Sequence, residues 1–230
     1  MMSLQPDALY HLLSDYFGTQ HWWPVDTSYH QQQGTDPRFE IMIGAILTQN
    51  TAWTNVEKAL QNLKKCHALS VQGIHTLQEE HLKILIQPSG FFNQKAQRVK
   101  SLAGFLSTNY QGNLNNFFSQ ELRKIRIELL ALTGVGPETA DSILLYAGQK
   151  PVFVVDAYTK RLCTRLPIPV GSKEYDTVQQ YFEQQLPNTN KIFIYQQLHA
   201  LIVECAKVFC RTKPQCKRCP LKENCSFALL

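Results

Sequence analysis

The spacing of apolar residues along this chain is helical almost wherever it can be followed. Apolar side chains recur at intervals of three and four residues over 39–47, 56–63, 140–147 and 198–209, which places them on one face of a helix. The alternation of apolar and polar residues that indicates a half-buried strand is almost absent. The sequence therefore predicts an all-α protein.

Helix-breaking residues divide the chain, but no linker separates it into consecutive domains. Breaks lie at 88–90, 134–137, 148 and 167–171, where proline and glycine interrupt the helical pattern. With 230 residues, of which 44% are hydrophobic, the chain can form one large core or two small cores that share a cleft. A second domain must therefore be interleaved with the first.

Nothing in the sequence predicts a membrane protein. No apolar run approaches the roughly 18 residues that a spanning helix needs, and the first residues, MMSLQPDALYHLL, carry neither a basic leader nor a cleavage site. We expect a soluble, cytoplasmic protein with no membrane partner.

The basic residues are concentrated near the C-terminus. The net charge is only +5, yet six basic residues and a single acid lie between positions 207 and 225. Such a local patch fits the phosphate backbone of a nucleic acid. A solvated protein face is the alternative.

Residues 129–148 have the pattern of two helices joined by a tight turn. The turn is Gly134-Val135-Gly136, and Pro137 takes the first position of the second helix, where proline is favoured. Two glycines allow another backbone to come close, and the amides that start the second helix can hold an anion such as phosphate. An ordinary turn between helices is the alternative.

The sequence on both sides of this turn resembles the helix-hairpin-helix superfamily of base-excision glycosylases, whose founding member is endonuclease III. The resemblance is carried by L-T-G-V-G-P-E-T-A at 132–140 and V-F-V-V-D-A-Y-T-K-R at 152–161, and it covers about residues 30–227. It implies a DNA glycosylase that acts on double-stranded DNA containing a damaged base, with Asp156 as the catalytic carboxylate. The hairpin residues expected at the DNA backbone are Gly134, Val135, Gly136 and Thr139.

A physical argument supports the same aspartate. Cleavage of a glycosidic bond passes through an oxocarbenium-like state, which a nearby carboxylate stabilises. The apolar run at 152–155 can hold Asp156 rigidly in a cleft of low dielectric constant. Capping of a helix that begins nearby is the alternative role.

One departure from the family pattern bears on the type of reaction. Bifunctional members carry a lysine in the helix after the hairpin, which attacks the sugar and forms a Schiff base, whereas this chain has Glu138 there. A glutamate cannot form a Schiff base, so we expect Glu138 to be non-catalytic and the enzyme to be a monofunctional hydrolase without AP-lyase activity, unless a lysine from elsewhere substitutes. Hydrolysis without a covalent nucleophile favours bases that leave easily, such as the alkylated purine 3-methyladenine.

Two segments are similar to the 3-methyladenine glycosylase branch of the superfamily, namely H-W-W-P at 21–24 and I-L-T-Q-N-T-A-W at 46–53. The similarity implies that Trp22, Trp23 and Trp53 bind the flipped base, and cation-π attraction suits a cationic base. In the wider family, the glutamine that matches Gln49 fills the gap left by the extruded base. Core packing is the alternative for the tryptophans.

Cys210, Cys216, Cys219 and Cys225 form a C-x5-C-x2-C-x5-C run, and four thiolates so close together can hold one metal site. The corresponding run in endonuclease III and its relatives is C-x6-C-x2-C-x5-C and binds a [4Fe-4S] cluster. The resemblance therefore implies a structural iron-sulfur cluster, with zinc as the alternative. The basic residues that this loop is expected to present to phosphates are Arg211, Lys213, Lys217 and Arg218.

Together these inferences predict an all-α, two-domain helix-hairpin-helix glycosylase fold with a C-terminal iron-sulfur cluster loop at 210–225. Residues 30–150, with the hairpin at 130–148, are expected to form a six-helix domain. Residues 1–29 and 151–230 are expected to form the cluster-bearing domain, with Asp156 in the cleft between the two.

The predicted activity is release of a damaged base by a monomer, leaving an abasic site. A bifunctional glycosylase and AP lyase acting on oxidised pyrimidines is the alternative enzyme. A non-catalytic DNA-binding module is the alternative of another class, because hairpins of this type also occur in proteins that only grip the backbone. An iron-sulfur redox protein is a third.

Overall fold

The computed structural model of the protein describes residues 3–229, which contain helices and turns but no strand. The prediction of an all-α protein is confirmed. Within these residues, no helix combines the length and the apolar character that crossing a membrane requires. The α-helices are α1 (Pro6–Phe17), α2 (Thr27–Gln33), α3 (Pro37–Leu47), α4 (Trp53–Lys65), α5 (Val71–Thr76), α6 (Glu79–Ile86), α7 (Phe92–Tyr110), α8 (Leu114–Phe118), α9 (Leu122–Leu130), α10 (Pro137–Ser142), α11 (Ala157–Arg165), α12 (Tyr175–Gln185) and α13 (Lys191–Val208).

Shorter helical turns complete the secondary structure. A π-helical turn at Ile143–Ala147 continues α10, so the apolar face predicted over 140–147 is buried but is not regular α-helix to its end. The 3₁₀ turns lie at Gln87–Ser89, Cys216–Arg218, Lys222–Asn224 and Ser226–Leu229.

The chain divides into two compact units. The hairpin unit comprises residues 23–148 and contains α2 to α10, whereas the terminal unit comprises the residues up to 22 and from 149 onwards and contains α1 and α11 to α13. The terminal unit is thus assembled from both ends of the chain. The domain boundaries expected from the sequence, after residues 29 and 150, stay a prediction.

Helix α3 is the central helix of the hairpin unit. Every residue from Phe39 to Leu47 is buried, because apolar side chains surround the helix instead of lining a single face. Pro37 takes the first helical position, and the Asp36 carboxylate caps the helix by accepting from the Arg38 amide. This start is the one that the sequence favours for a helix.

A buried ionic network connects α2, α3 and α4 of the hairpin unit. Glu40 Oε2 lies 2.8 Å from His30 Nε2, and Glu40 Oε1 lies 2.6 Å from Lys64 Nζ. The side chains of His30 and Glu40 are only 2% and 3% exposed, and a buried charge is tolerated only where it is paired in this way. The network therefore fixes the three helices that follow the segment containing Trp23.

Helix α13 is the central helix of the terminal unit, and α1 and α11 pack on it. Its residues Leu198, Ile202 and Cys205 are buried, as is Phe209 just beyond its end, which agrees with the helical spacing in the sequence. Phe153, in the run before α11, stacks on Phe182 of α12 at a ring-centroid distance of 4.6 Å. This packing gives α11 a rigid start.

Candidate active site and nucleic-acid interface

Asp156 begins α11 and is its N-cap. Its Oδ1 accepts hydrogen bonds from the Thr159 amide at 2.7 Å and from Thr159 Oγ1 at 2.8 Å. The capping role considered from the sequence is therefore present. Only one carboxylate oxygen is engaged in it, so the other oxygen remains for a different contact.

That second oxygen points towards a histidine. Asp156 Oδ2 lies 3.7 Å from His199 Nε2 of α13, and both residues are buried, with exposures of 8% and 4%. Burial alone would raise the pKa of the Asp156 carboxyl, but the contact and charge of His199 and the hydrogen bonds from Thr159 outweigh it and lower the pKa below its ordinary value. Asp156 is thus a carboxylate that stays ionised although the protein has removed it from water.

His199 was not singled out by the sequence analysis. It lies in the otherwise apolar stretch of α13 between Leu198 and Ala200, where a lone histidine reads as a core residue. A weak signal was available, because a buried imidazole in an apolar helix needs a polar partner. That partner, Asp156, is distant in sequence, so the spacing of residues along the chain gives no sign of the contact.

Trp22 adjoins the same histidine within the terminal unit. Its ring lies edge-on to the His199 imidazole at a centroid distance of 6.1 Å, and Lys207 Nζ lies 5.2 Å from its ring centroid. The segment before it is fixed by Gln197, whose amide side chain donates to Gln20 O and accepts from Gln20 N, each at 2.7 Å. His199 of α13 thus lies beside both Trp22 and Asp156.

Trp23 and Trp53 belong to the hairpin unit, where they contact each other. The two rings are 5.5 Å apart and nearly perpendicular, and Trp23 makes a similar contact with Tyr146 at 5.4 Å. A Cβ atom on Gly44 would lie 3.0 Å from Trp23 Nε1, so glycine at this point of α3 gives the indole its place. The three tryptophans predicted to bind the base are therefore divided between the units, with Trp22 in the terminal unit and Trp23 and Trp53 in contact within the hairpin unit.

The predicted hairpin is present as α9, a turn and α10. Gly134 has a φ of +79°, and a Cβ atom there would lie 2.1 Å from Arg98 Nε, so both backbone and packing require glycine. Gly134 and Gly136 are exposed, whereas Val135 and Thr139 are buried. The glycines therefore present the backbone of the turn to solvent, and the side chains of Val135 and Thr139 face the unit's own core.

An ion pair holds the two hairpin helices together. Arg126 of α9 donates from Nε and Nη2 to the two oxygens of Asp141 in α10, at 2.7 and 3.0 Å. Asp141 is fully buried, and this two-pronged geometry fixes orientation as well as distance. Glu138, at the lysine position of bifunctional family members, is exposed in the first turn of α10.

Gln49 lies in the loop after α3 and is bound to the hairpin. Its Nε2 donates to Gly134 O at 3.0 Å and to Thr139 Oγ1 at 2.8 Å, and its Oε1 accepts from Arg98 Nη1. All the hydrogen-bonding groups of the side chain are thus oriented by residues of the hairpin unit. The side chain is half-buried, and its amide is therefore held beside the exposed glycine turn.

The four cysteines of the C-terminal run form no disulfide and are half-buried. Arg165 of α11 donates to Cys210 Sγ at 3.2 Å and to Arg211 O at 2.6 Å, and Arg161 donates to Cys210 O at 2.8 Å. Over residues 3–229, no three His, Cys, Asp or Glu side chains converge as a metal-binding group. Cys205 donates a hydrogen bond to Cys219, and this contact lowers the pKa of the Cys219 thiol.

The basic residues of this segment are on the surface. Arg211, Lys213, Lys217 and Arg218 are all exposed, and the Arg211 guanidinium donates back to Lys207 O at the end of α13. Exposed basic side chains on a segment tied to α11 and α13 form a positive surface on the terminal unit. Such a surface attracts phosphates.

Comparison with known proteins gives a family for most of the chain. Residues 43–188 match the family described as HhH-GPD superfamily base excision DNA repair protein. A Methanocaldococcus jannaschii protein whose name assigns it to the DNA repair glycosylases is 46% identical over 219 residues, which is 94% of each chain. Endonuclease III of Thermotoga maritima is 29% identical over 194 residues, which is 84% of each chain.

Solved structures show the same fold. The 3-methyladenine DNA glycosylase of H. pylori, bound to 1,N6-ethenoadenine, is 28% identical with a TM-score of 0.71, over 89% of this chain and 98% of that one. An endonuclease III in a non-covalent complex with DNA is 21% identical with a TM-score of 0.78, over 96% and 93% of the two chains. The prediction of a helix-hairpin-helix glycosylase fold is confirmed, while the cluster on its C-terminal loop stays a prediction.

The two hairpin glycines should respond differently to substitution. Gly134→Ala forces alanine into a left-handed conformation and against Arg98, so we expect it to lower the free energy of unfolding by about 1–2 kcal/mol or more. Gly136→Ala is the control, because its Cβ would meet nothing within 4 Å, and a smaller change is expected. Urea denaturation measures both, and equal destabilisation would contradict the steric account of Gly134.

Proposed function

We propose that this chain, which belongs to the HhH-GPD superfamily of base excision DNA repair proteins, is a monofunctional DNA glycosylase that hydrolyses the N-glycosidic bond of alkylated purines. The observation that carries the proposal is Asp156, a buried carboxylate kept ionised by Thr159 and His199. A fixed negative charge in a dry site is what the developing positive charge on a sugar requires.

The reaction needs one carboxylate and one water molecule. As the bond between the sugar C1′ and the base nitrogen breaks, its electron pair leaves with the base and C1′ becomes positively charged. The Asp156 carboxylate stabilises this charge and accepts a proton from the water whose oxygen bonds to C1′. For a cationic alkylated purine, the departing electron pair neutralises the base, so no proton donor is needed.

Glu138 supports hydrolysis over lyase chemistry. A carboxylate in the first turn of α10 cannot supply the amine that a Schiff base requires. The alternative is that another lysine forms the Schiff base, and it is supported by the similarity to the endonuclease III of Thermotoga maritima, at 29% identity. Oxidised pyrimidines with strand cleavage are therefore the second candidate activity.

The preference for alkylated purines rests on the aromatic residues. Trp22 adjoins His199 and already receives the Lys207 ammonium at 5.2 Å from its ring, which is the attraction that a cationic base would exploit. Trp23 and Trp53 form the second aromatic group in the hairpin unit. The similarity to the H. pylori 3-methyladenine glycosylase, at 28% identity, supports the same substrate class.

We further propose that double-stranded DNA binds to the hairpin and to the basic residues of the C-terminal loop. The exposed backbone at Gly134 and Gly136 would approach one phosphate group, with Val135 and Thr139 holding the turn from inside. Gln49 would enter the space left by the extruded base. Contacts from Arg211, Lys213, Lys217 and Arg218 would add affinity that falls with salt and does not depend on sequence.

The proposed cofactor is a [4Fe-4S] cluster held by Cys210, Cys216, Cys219 and Cys225. Their four thiols are the donor set of such a cluster, and the alternative is zinc. A bound cluster would supply a rigid cross-link for this loop, with no part in the hydrolysis. Arg161 and Arg165 already connect the loop to α11, the helix that Asp156 begins.

Base release decides between the candidate activities. We expect the protein to release free base from methylated duplex DNA, and to leave abasic sites that break only after alkali. Incubation with borohydride should give no protein–DNA cross-link, because no Schiff base forms. Strand cleavage of a thymine glycol duplex without alkali would favour the lyase, and binding without release from either duplex would favour the DNA-binding module.

The pH profile should report the contact between Asp156 and His199. His199 lowers the pKa of Asp156, so His199→Gln should raise that pKa, and the acid limb of kcat/KM should move to higher pH. His11→Gln is the matched control, since His11 lies 3.6 Å from the Asp7 carboxylate on the exposed face of α1. An unchanged acid limb in the His199 variant would contradict the electrostatic role.

Metal analysis tests the cofactor. We expect the anaerobically purified protein to contain about four iron and four sulfide per chain. Cys219→Ser should lose the iron, whereas Cys66→Ser, at an exposed cysteine outside the run, should keep it. One zinc per chain without iron would establish the alternative metal.

A further inference from the structure

Lys95 of α7 is one of the most completely buried side chains of the hairpin unit, with an exposure of 1%. Its Nζ donates to Leu47 O, Thr51 Oγ1 and Ser89 O, each at 2.7 Å. An ammonium group has three N–H donors, and each has an acceptor here. The three acceptors come from the end of α3, the loop after it and the 3₁₀ turn before α7.

Burial of the Lys95 ammonium group costs desolvation free energy. All three acceptors are neutral oxygens, so the charge is solvated without being neutralised, and burial together with Arg98 lowers the pKa to about 8. A lysine is almost never fully buried without a specific reason. Packing alone does not provide that reason, because an apolar side chain would fill the same volume without the desolvation cost.

The loops that Lys95 joins are both strained. Asn50, next to Gln49, has a φ of +53°, and Phe91, which precedes α7, has a φ of +45°. Left-handed backbone is unfavourable for residues other than glycine, and it persists where surrounding contacts enforce it. Lys95 contributes such contacts on both sides, through Thr51 and Ser89.

A direct chain of atoms leads from Lys95 to Gln49. Thr51 Oγ1, which accepts from Lys95, lies within hydrogen-bond distance of Gln49 O at 3.2 Å and of Ser89 O. The backbone of Gln49 is therefore fixed from one side by Lys95 and Thr51. Its side chain is fixed from the other side by the hairpin.

We propose that Lys95 is a positioning residue for opening the base stack: it holds the loop at 48–52 so that Gln49 can enter the duplex as the damaged base leaves. The inference rests on the proposed excision reaction. Lys95 acts through Gln49 and touches neither the base nor the sugar. A loop displaced by about 1 Å is enough to cost up to about a hundredfold in rate when geometry limits the step.

This role predicts a defect that depends on the state of the DNA. A target base paired and stacked in the duplex must be extruded, and that step needs Gln49 in place. A target base opposite an abasic-site analogue is already poorly stacked, so less work remains for the loop. Removal of Lys95 should therefore slow excision from the first duplex far more than from the second.

The test compares Lys95→Met with Lys100→Met. Lys100 lies on the same helix, and its Nζ also has three acceptors, the backbone carbonyls of Ile74, His75 and Leu77, but these lie away from the loop at 48–52. Both variants lose one charge and three hydrogen bonds. The probes are 7-methylguanine duplexes, which carry a cationic alkylated purine, with cytosine or a tetrahydrofuran abasic analogue opposite the lesion and 2-aminopurine beside it to report unstacking.

We expect Lys95→Met to reduce single-turnover excision opposite cytosine by about tenfold to a hundredfold, and to reduce the 2-aminopurine signal on binding. Opposite the abasic analogue, the loss should shrink to within about threefold. Lys100→Met should not distinguish the two duplexes. Equal losses on both duplexes, or an undiminished 2-aminopurine signal, would overturn the positioning role.

A second pair of variants keeps the test valid if Lys95→Met does not fold. Thr51→Val removes the hydroxyl between Lys95 and Gln49, and should show the same dependence on stacking, whereas Thr51→Ser should restore wild-type behaviour.

Failure of the proposed function has a different signature: the wild type would unstack the duplexes without releasing any base. No unstacking by the wild type would overturn both proposals.

Discussion

The carboxylate of Asp156 is taken almost completely out of water and still remains ionised, and the local structure around it follows from that requirement. When a charge is buried, fixed dipoles or an opposite charge must replace the water molecules of its hydration shell. The first turn of α11 supplies the Thr159 amide and hydroxyl on one oxygen, and α13 supplies His199 on the other. The same contacts that make the aspartate a helix cap also preserve the charge that glycosidic hydrolysis would use.

The packing of the terminal unit explains why these contacts are rigid. Helix α13 is buried along most of its length, and α1 and α11 pack against it. The stacked rings of Phe153 and Phe182 hold the approach to Asp156, and Gln197 holds the segment that ends at Trp22. The aspartate, the histidine and the tryptophan are therefore set by helix packing and not by flexible loops, and rigid elements of this kind position side chains accurately.

In the hairpin unit, polar contacts fix the turn at Gly134 and the loop that carries Gln49. Its exposed turn depends on a glycine at position 134 that leaves room for Arg98, and Arg98 and the turn together orient Gln49. The loop that carries Gln49 is held in turn by the buried ammonium of Lys95. An exposed loop gains the precision of a core residue when buried donors fix its backbone.

Local patterns in the sequence were sufficient to predict several of these features. Helical spacing predicted helix α3, the Gly-Val-Gly turn predicted the hairpin, and the helix cap at Asp156 was the alternative role that its place before a helix indicated. These features depend on neighbours within a few residues, which periodicity and turn chemistry describe directly. The role of Asp156 as a catalytic carboxylate stays a prediction.

Features that depend on distant residues were not predicted. Neither His199 beside Asp156 nor Lys95 beneath the loop of Gln49 has a local signature, because each is defined by partners from other helices. Trp22 and Trp23 were both predicted to bind the base, yet the boundary between the two units falls between them. Adjacent residues in sequence can face different surroundings, and only tertiary packing assigns them.

The most direct test of the account is single-turnover excision from methylated duplex DNA by Asp156→Asn, with DNA affinity measured on the same protein. Asparagine keeps the cap acceptor for Thr159 but removes the negative charge. The account predicts that base release falls by about a thousandfold or more while binding to the duplex is retained. Release at a rate near that of the wild type would contradict the assignment of Asp156 as the carboxylate that drives the reaction.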